Sequence, residues 1–179
     1  MVRINRVHTG IGDKGDTSLL SGDMVSKSAP RIELVGTVDE LNALIGCVRT
    51  ELDRIDSMHS DGGNRATVRT VKNLIRPKLA LLQHDLFDLG GEFACHPDDL
   101  PAQMSTLDED DSNRLIEEMD EWLQELPPLE SFILPTGSPI VATLHLARTV
   151  SRRAERCLVR LAEQQQIVLP KAVLIYLNR

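Results

Sequence analysis

The sequence predicts an all-α fold: a five-helix bundle with ferritin-like up-and-down packing, preceded by an irregular glycine-rich N-terminal loop. Three observations carry this. Apolar residues recur at steps of three and four in successive segments. Prolines or acidic runs stand at the head of four of the five segments, where helices accept them. No segment makes a convincing sheet, and no internal repeat is present. With 179 residues the chain can bury a full core and reads as one domain, with residues 1–27 as a loop segment and residues 28–179 as the bundle.

The elements follow in order. Pro30 opens the first helix, whose apolar positions are Ile32, Val35, Val38, Leu41, Ile45, Val48 and Leu52. Residues 54–65, rich in Asp, Ser, Gly and Asn, read as a flexible linker. A second pattern runs from about Val68 to Phe93 through Val71, Ile75, Leu79, Leu82, Leu86 and Leu89. Pro77 inside it predicts either a helix end near Ile75 or a kink. After a loop over 95–107, the acids Asp108 to Asp111 suit the positive end of a helix dipole. Leu115, Met119, Trp122 and Leu126 give the third helix its face, and Pro127-Pro128 ends it. Ser138 is a candidate N-cap with Pro139 at the first helical position, and a long helix follows to about Gln165. Pro170 opens a fifth.

Composition excludes several function classes. No run of 18 or more apolar residues exists, so no membrane span and no membrane partner is expected. The first ten residues lack an apolar core, so no secretory signal is expected, and the odd count of three cysteines fits a reducing cytoplasm. The net charge of −7 argues against nucleic acid as a partner. The cysteines form no C-x-x-C pair, and the adjacent Cys95-His96 is a poor metal-ligand spacing.

The richest segment is Thr9-Gly10-Ile11-Gly12-Asp13-Lys14-Gly15-Asp16-Thr17-Ser18. Glycines among hydroxyls let the backbone turn its N–H groups inward and approach a polyanion closely. It is not a P-loop, because Asp16 follows Gly15 where lysine is required. Nor is it a dinucleotide fingerprint. Gly10, Gly12 and Gly15 have the spacing, but no buried strand precedes them and no helix follows. A glycine-rich surface turn is the alternative.

The fourth helix carries a charged stripe. His145, Arg148, Arg152, Glu155 and Arg156 share one face, flanked by Arg153 and Arg160. Arginines four apart repel by a few tenths of a kcal/mol per pair unless anions stand opposite. Guanidinium groups suit bidentate phosphate contacts, so the stripe is a candidate phosphate site. A solvated basic face, partly neutralised by Glu155, is the alternative. Thr37, Asp39, Glu40 and Asn42 crowd the first helix with polar groups, and Asp39 or Glu40 is a candidate partner for an arginine of the stripe.

Taken together, six ordered segments resemble the PduO-type ATP:cob(I)alamin adenosyltransferases. Besides Lys27, they are TGIGDKGDTSLL (9–20), PRIELVGTVDELNALIG (30–46), LFDLGGEFA (86–94), FILPTGS (132–138), LHLARTVSRRAER (144–156) and YLNR (176–179). The resemblance implies a homotrimer with sites at subunit interfaces. In it Thr9, Gly10, Ile11, Gly12, Thr17 and Ser18 line the triphosphate of ATP, with Lys27 as a cationic partner. Arg152, Arg153, Ala154, Glu155, Arg156 and Asn178 meet the nucleotide from the neighbouring subunit. Asp39 and Arg148 correspond to a pair that bridges subunits, and with Arg152 they form the implied catalytic set. ATP is the co-substrate, Mg²⁺ accompanies it, and cobalamin is the substrate.

The implied reaction is attack of cobalt(I) on the 5′ carbon of ATP, releasing triphosphate. It needs no protein nucleophile, only positioning and charge stabilisation. The resemblance also implies an aromatic against the corrin in the loop before the third helix, where Met104 stands nearest. It implies a last helix running past Arg179 as well. A flavoprotein reductase or a cobalamin-dependent enzyme is the protein partner class it suggests. The competing readings are a non-catalytic ATP- and cobalamin-binding helical trimer and a purely structural helical oligomer.

Overall fold

A short hairpin precedes five helices: β1 (Asp16–Ser18), β2 (Met24–Ser26), α1 (Pro30–Arg54), α2 (Ala66–Phe93), α3 (Glu109–Leu123), α4 (Pro139–Gln165) and α5 (Lys171–Asn178). The structure, a computed structural model, describes residues 8, 10–58, 65–165 and 167–179. The five-helix expectation holds, and the irregular loop is corrected. Residues 16–18 and 24–26 pair antiparallel, with Asp16 opposite Ser26, Thr17 opposite Val25 and Ser18 opposite Met24. Strands of three residues are too short to show alternation in sequence. Gly15 and Gly22 take the positive φ angles, 94° and 95°, that turn the chain around them.

The α1 and α4 helices run antiparallel, and polar contacts fix their register at three heights. Arg31 Nη2 donates to Gln165 Oε1 at 3.0 Å, Thr37 Oγ1 lies 3.9 Å from Cys157 Sγ, and Arg153 pairs with Glu40. Between these heights Leu34, Val38, Ala154, Leu158 and Leu161 are almost wholly removed from water. The other face of α1 meets α2, where Asn42 and Gln83 exchange side chain-to-carbonyl bonds of 3.1 Å in both directions.

Pro77 neither ends nor splits α2. Its missing N–H would have reached the carbonyl of Asn73, and both residues are exposed, so water can take that acceptor. Upstream on the same helix, Lys72 Nζ donates to the carbonyls of Asp53 and Ile55 at 3.1 and 2.5 Å, and Arg76 pairs with the Asp53 carboxylate at 3.3 Å. These cations satisfy the last turn of α1, whose carbonyls carry the negative end of its dipole. At the head of α3, Asp108 and Asp111 form a reciprocal capping box. That helix ends at Leu123, leaving Leu126 exposed rather than on its apolar face. Ser138 Oγ accepts from the Val141 N–H at 3.4 Å to start α4.

One polar cluster lies inside. The Tyr176 hydroxyl donates to Asp85 Oδ2 at 2.8 Å, and Arg114 pairs with the same oxygen. Three helices, α2, α3 and α5, are joined at this point. Burial, and then the neighbouring Asp85 carboxylate, push the Tyr176 phenol above its ordinary value. The native state therefore keeps the proton where the unfolded chain loses it. This contribution to stability is intact below the unfolded phenol value of about 10 and declines as pH rises beyond it. Tyr176 is the chain's one tyrosine. Tyrosinate absorbance should thus be absent from the folded protein at about pH 10 and appear only together with loss of helical circular dichroism. A reversible titration near that pH with the helices intact would contradict this placement.

Candidate functional site

The glycine loop folds as a compact turn. Gly10 adopts φ 70°, and the N–H groups of Asp13 and Gly15 reach back to the carbonyls of Gly10 and Gly12, each at 3.3 Å. Lys27, one residue past β2, closes it by donating from Nζ to the Gly12 carbonyl at 2.7 Å. A Cβ on Gly12 would lie 3.0 Å from that Nζ and 3.2 Å from the Asp16 carbonyl oxygen. Gly12 is thus needed for the close approach of Lys27. Ile11 and Ser18 are exposed and Thr17 is half-buried. The loop offers a lysine, hydroxyls and a turned backbone to solvent. Thr9 lies outside the described residues.

The stripe on α4 is arranged as its periodicity requires. Ala147, Val150, Ala154, Cys157 and Leu161 face the core, which leaves Arg148, Arg152 and Arg156 exposed. Ala154 is wholly buried, so of the expected site residues it contributes packing on the inner face of α4. Arg156 Nη1 donates to the carbonyl of Arg152 at 2.9 Å. Glu155 accepts from Asn178 Nδ2 at 3.0 Å, tying the end of α5 to the stripe. The α5 helix is held there by Ser151 Oγ, which donates to the Leu177 carbonyl at 2.9 Å, and by the Tyr176–Asp85 bond. Arg148, Arg152 and Asn178 edge a cavity of about 490 Å³ whose inner wall includes Leu41, Ile45 and Trp122. Cations therefore rim an apolar hollow.

Of the two acids considered on α1, Glu40 is the one that meets the stripe, through Arg153 of the same chain. Asp39 is exposed, and neither it nor Arg148 has an ion-pair partner among the described residues. Nor does any hydrogen bond join residues 10–27 to residues 148–156 among the described residues. The reason is the α1–α4 register. The loop leads into the N-terminal end of α1, which lies beside Gln165. Arg152 is thirteen residues upstream of Gln165, about 20 Å along the helix.

Met104 is half-buried at the C-terminal end of α2, with its methyl 3.8 Å from where a Cβ on Gly91 would stand. That end of α2 belongs with Arg31 and Gln165, remote from Arg148. Phe132 is fully exposed, seven residues before α4 begins. Sequence reasoning had no signal for Arg31, Asp85 and Arg114, whose partners are 29 to 134 residues away. Among the described residues no three His, Cys, Asp or Glu side chains cluster as a metal site, and no helix is long and apolar enough to cross a membrane.

Three comparisons bear on this arrangement. The family model described as cobalamin adenosyltransferase matches residues 7–179. The corrinoid adenosyltransferase of Bacillus subtilis is 36% identical over 174 residues, covering 97% of this chain and 80% of that protein. The cobalamin adenosyltransferase of Cupriavidus metallidurans is 38% identical over 181 residues, covering 99% and 83%. Among solved structures, a variant PduO-type ATP:corrinoid adenosyltransferase from Lactobacillus reuteri, complexed with cobalamin and ATP, superposes with a TM-score of 0.76. It is 30% identical, with 97% of this chain and 83% of that one covered.

The Glu40–Arg153 pair is partly exposed on both sides, so water screens it. Glu40→Ala should lower folding stability by less than about 1 kcal/mol in urea unfolding. A loss several times larger would mean that the pair is a principal support of the α1–α4 seam.

Proposed function

The chain belongs to the cobalamin adenosyltransferase family, and on that premise we propose that it transfers the 5′-deoxyadenosyl group of ATP to the cobalt of a reduced corrinoid, giving adenosylcobalamin and triphosphate. The observation that carries this reading is the cationic rim of Arg148 and Arg152 over an apolar hollow. A leaving triphosphate calls for the first, and a macrocycle calls for the second. Cob(I)alamin supplies the nucleophile as substrate. The cobalt–carbon bond forms as the bond from C5′ to oxygen breaks, and the triphosphate leaves with that electron pair. The protein's task is to hold C5′ in line and to stabilise charge on the departing oxygens.

In this reading Thr9, Gly10, Ile11, Gly12, Thr17, Ser18 and Lys27 bind the triphosphate. Arg152, Arg153 and Arg156 face it from a second subunit. Glu155, held by Asn178, orients the nucleoside end, and Ala154 keeps the helix close. The distance of about 20 Å along α4 between Arg152 and the Gln165 end supports a site completed by a neighbouring chain. Asp39 and Arg148, without ion-pair partners in their own chain among the described residues, are our candidates for a pair across that boundary. We take the assembly to be a homotrimer, with one loop-to-stripe interface repeated around a closed ring. Mg²⁺ fits as an ion carried by the phosphates, which it neutralises, with Glu155 the one carboxylate within the stripe. Phe132, exposed ahead of α4, is our candidate for the aromatic offered to the corrin, in place of the Met104 position. We place the protein in the cytoplasm, with a flavoprotein reductase or a cobalamin-dependent enzyme as its partner class.

Two outcomes follow. Light scattering at micromolar concentration should return three chain masses, and a monomer would count against the shared site. Arg152→Ala should keep its helical signal and its unfolding midpoint. It should lose about a hundredfold in turnover with ATP and chemically reduced cobalamin, because one preorganised cation on a developing charge is worth about 3 kcal/mol. Wild-type turnover in that variant would remove the stripe from the mechanism.

A further inference from the structure

We propose that Arg31 is a positioning residue for the N-terminal loop: it clamps the carbonyls on either side of Ala94 and so fixes the dock on which the hairpin sits. The proposal rests on the reading of residues 10–27 as the triphosphate-binding loop. Arg31 is 5% exposed, a buried cation with no carboxylate against it among the described residues. Its Nη1 donates to the carbonyls of Cys95 at 2.9 Å and Phe93 at 3.4 Å, and its Nη2 to Gln165 Oε1. Burial lowers its pKa, as it must where only neutral acceptors offset lost water.

A buried arginine without an acid is costly, and helix termini are usually satisfied by cheaper means. The geometry shows what this one achieves. The last carbonyls of α2 have no partner within the helix. Arg31 takes the carbonyl of Phe93, the last residue of α2, and that of Cys95 just beyond it, and the carbonyl between them, on Ala94, accepts the Leu20 N–H at 2.9 Å. That bond reaches from the hairpin across to α2. Beside it the Leu19 side chain is buried, at 7% exposure, whereas Leu20 is exposed at 65%. Leu19 and Leu20 lie directly between β1 and the turn at Gly22. An α2 terminus free to rotate by part of a turn would withdraw the Ala94 carbonyl and let the whole loop drift.

Arg31→Gln tests this when hydrogen exchange and ATP dependence are measured together on the full chain. Arg31→Gln should show faster exchange across residues 16–26 and a KM for ATP raised about tenfold, the worth of one preorganised hydrogen bond. Its kcat at saturating ATP should stay within about threefold of wild type. Arg31→Lys, which keeps the charge and one donor, should recover part of the loss. Leu20→Pro, which removes the N–H that reaches Ala94 and also fixes the backbone at that residue, should raise the KM alike while the helical circular dichroism is kept. A folded Arg31→Gln with unchanged hairpin exchange and unchanged KM overturns the proposal. If Arg31→Gln does not fold, wild-type KM values in both Arg31→Lys and Leu20→Pro overturn it instead. Lys27→Ala separates the two layers of the argument. If it raises the KM while the Arg31 and Leu20 variants do not, the anchor alone is wrong. If none of these variants raises the KM, the loop is not the triphosphate site and both readings fall.

Discussion

The register of α1 against α4 is the constraint on which the rest of this structure depends. Three polar contacts along the seam, at Arg31, Thr37 and Glu40, set two long antiparallel helices in one alignment. Because α1 begins at the end of the loop, that alignment also decides where the loop lies. It puts the start of α1, into which the loop leads, beside the last turns of α4 and leaves the arginines at 148 and 152 far up the same helix. Within a single chain, the loop and the stripe of the proposed anion site therefore do not face each other. The buried apolar rows between the polar contacts supply most of the stability, while the contacts themselves select the register.

Two buried polar clusters carry this order outward. Arg31 gathers the ends of α1, α2 and α4 through carbonyl and amide acceptors. Asp85 gathers α2, α3 and α5 through Arg114 and Tyr176. Each charge is desolvated, so each is stabilising only while all its partners remain in place. Such groups add little net stability over an apolar core, but they penalise any other packing. The second cluster also bears on the site, since Tyr176 lies two residues before Asn178, which holds Glu155. The chemistry proposed here needs placement rather than a protein nucleophile, so rigidity of this kind is where the fold can contribute to rate.

The five helices were legible because each has a strong local signal: a proline or acidic start, a 3.6-residue apolar period, or a breaking proline pair. Pro77 does not end α2, because that outcome depends on whether water can reach the carbonyl of Asn73, which is a tertiary matter. The hairpin was missed because three-residue strands leave no period to read. The arginine stripe was legible from spacing, as was the glycine loop from composition. Arg31 and Asp85 were not, since their meaning lies in acceptors 29 to 134 residues away. Met104, in the loop before α3, packs against Gly91 at the end of α2, a placement that no local period announces.

The central claim is that loop and stripe from different subunits make one site, and subunit mixing tests it most directly. A loop-defective chain, Lys27→Ala with Gly12→Val, and a stripe-defective chain, Arg152→Ala, are each nearly inactive alone under this account. When the two are co-expressed in equal amounts, an interface is intact where a sound loop meets a sound stripe. With random assembly that is about one interface in four over the whole population, so the co-expressed protein should recover about a quarter of wild-type turnover per chain, and isolated mixed trimers about a third. Mixed trimers, demonstrated by differently tagged chains, with no more activity than either parent would show that each subunit builds its site alone.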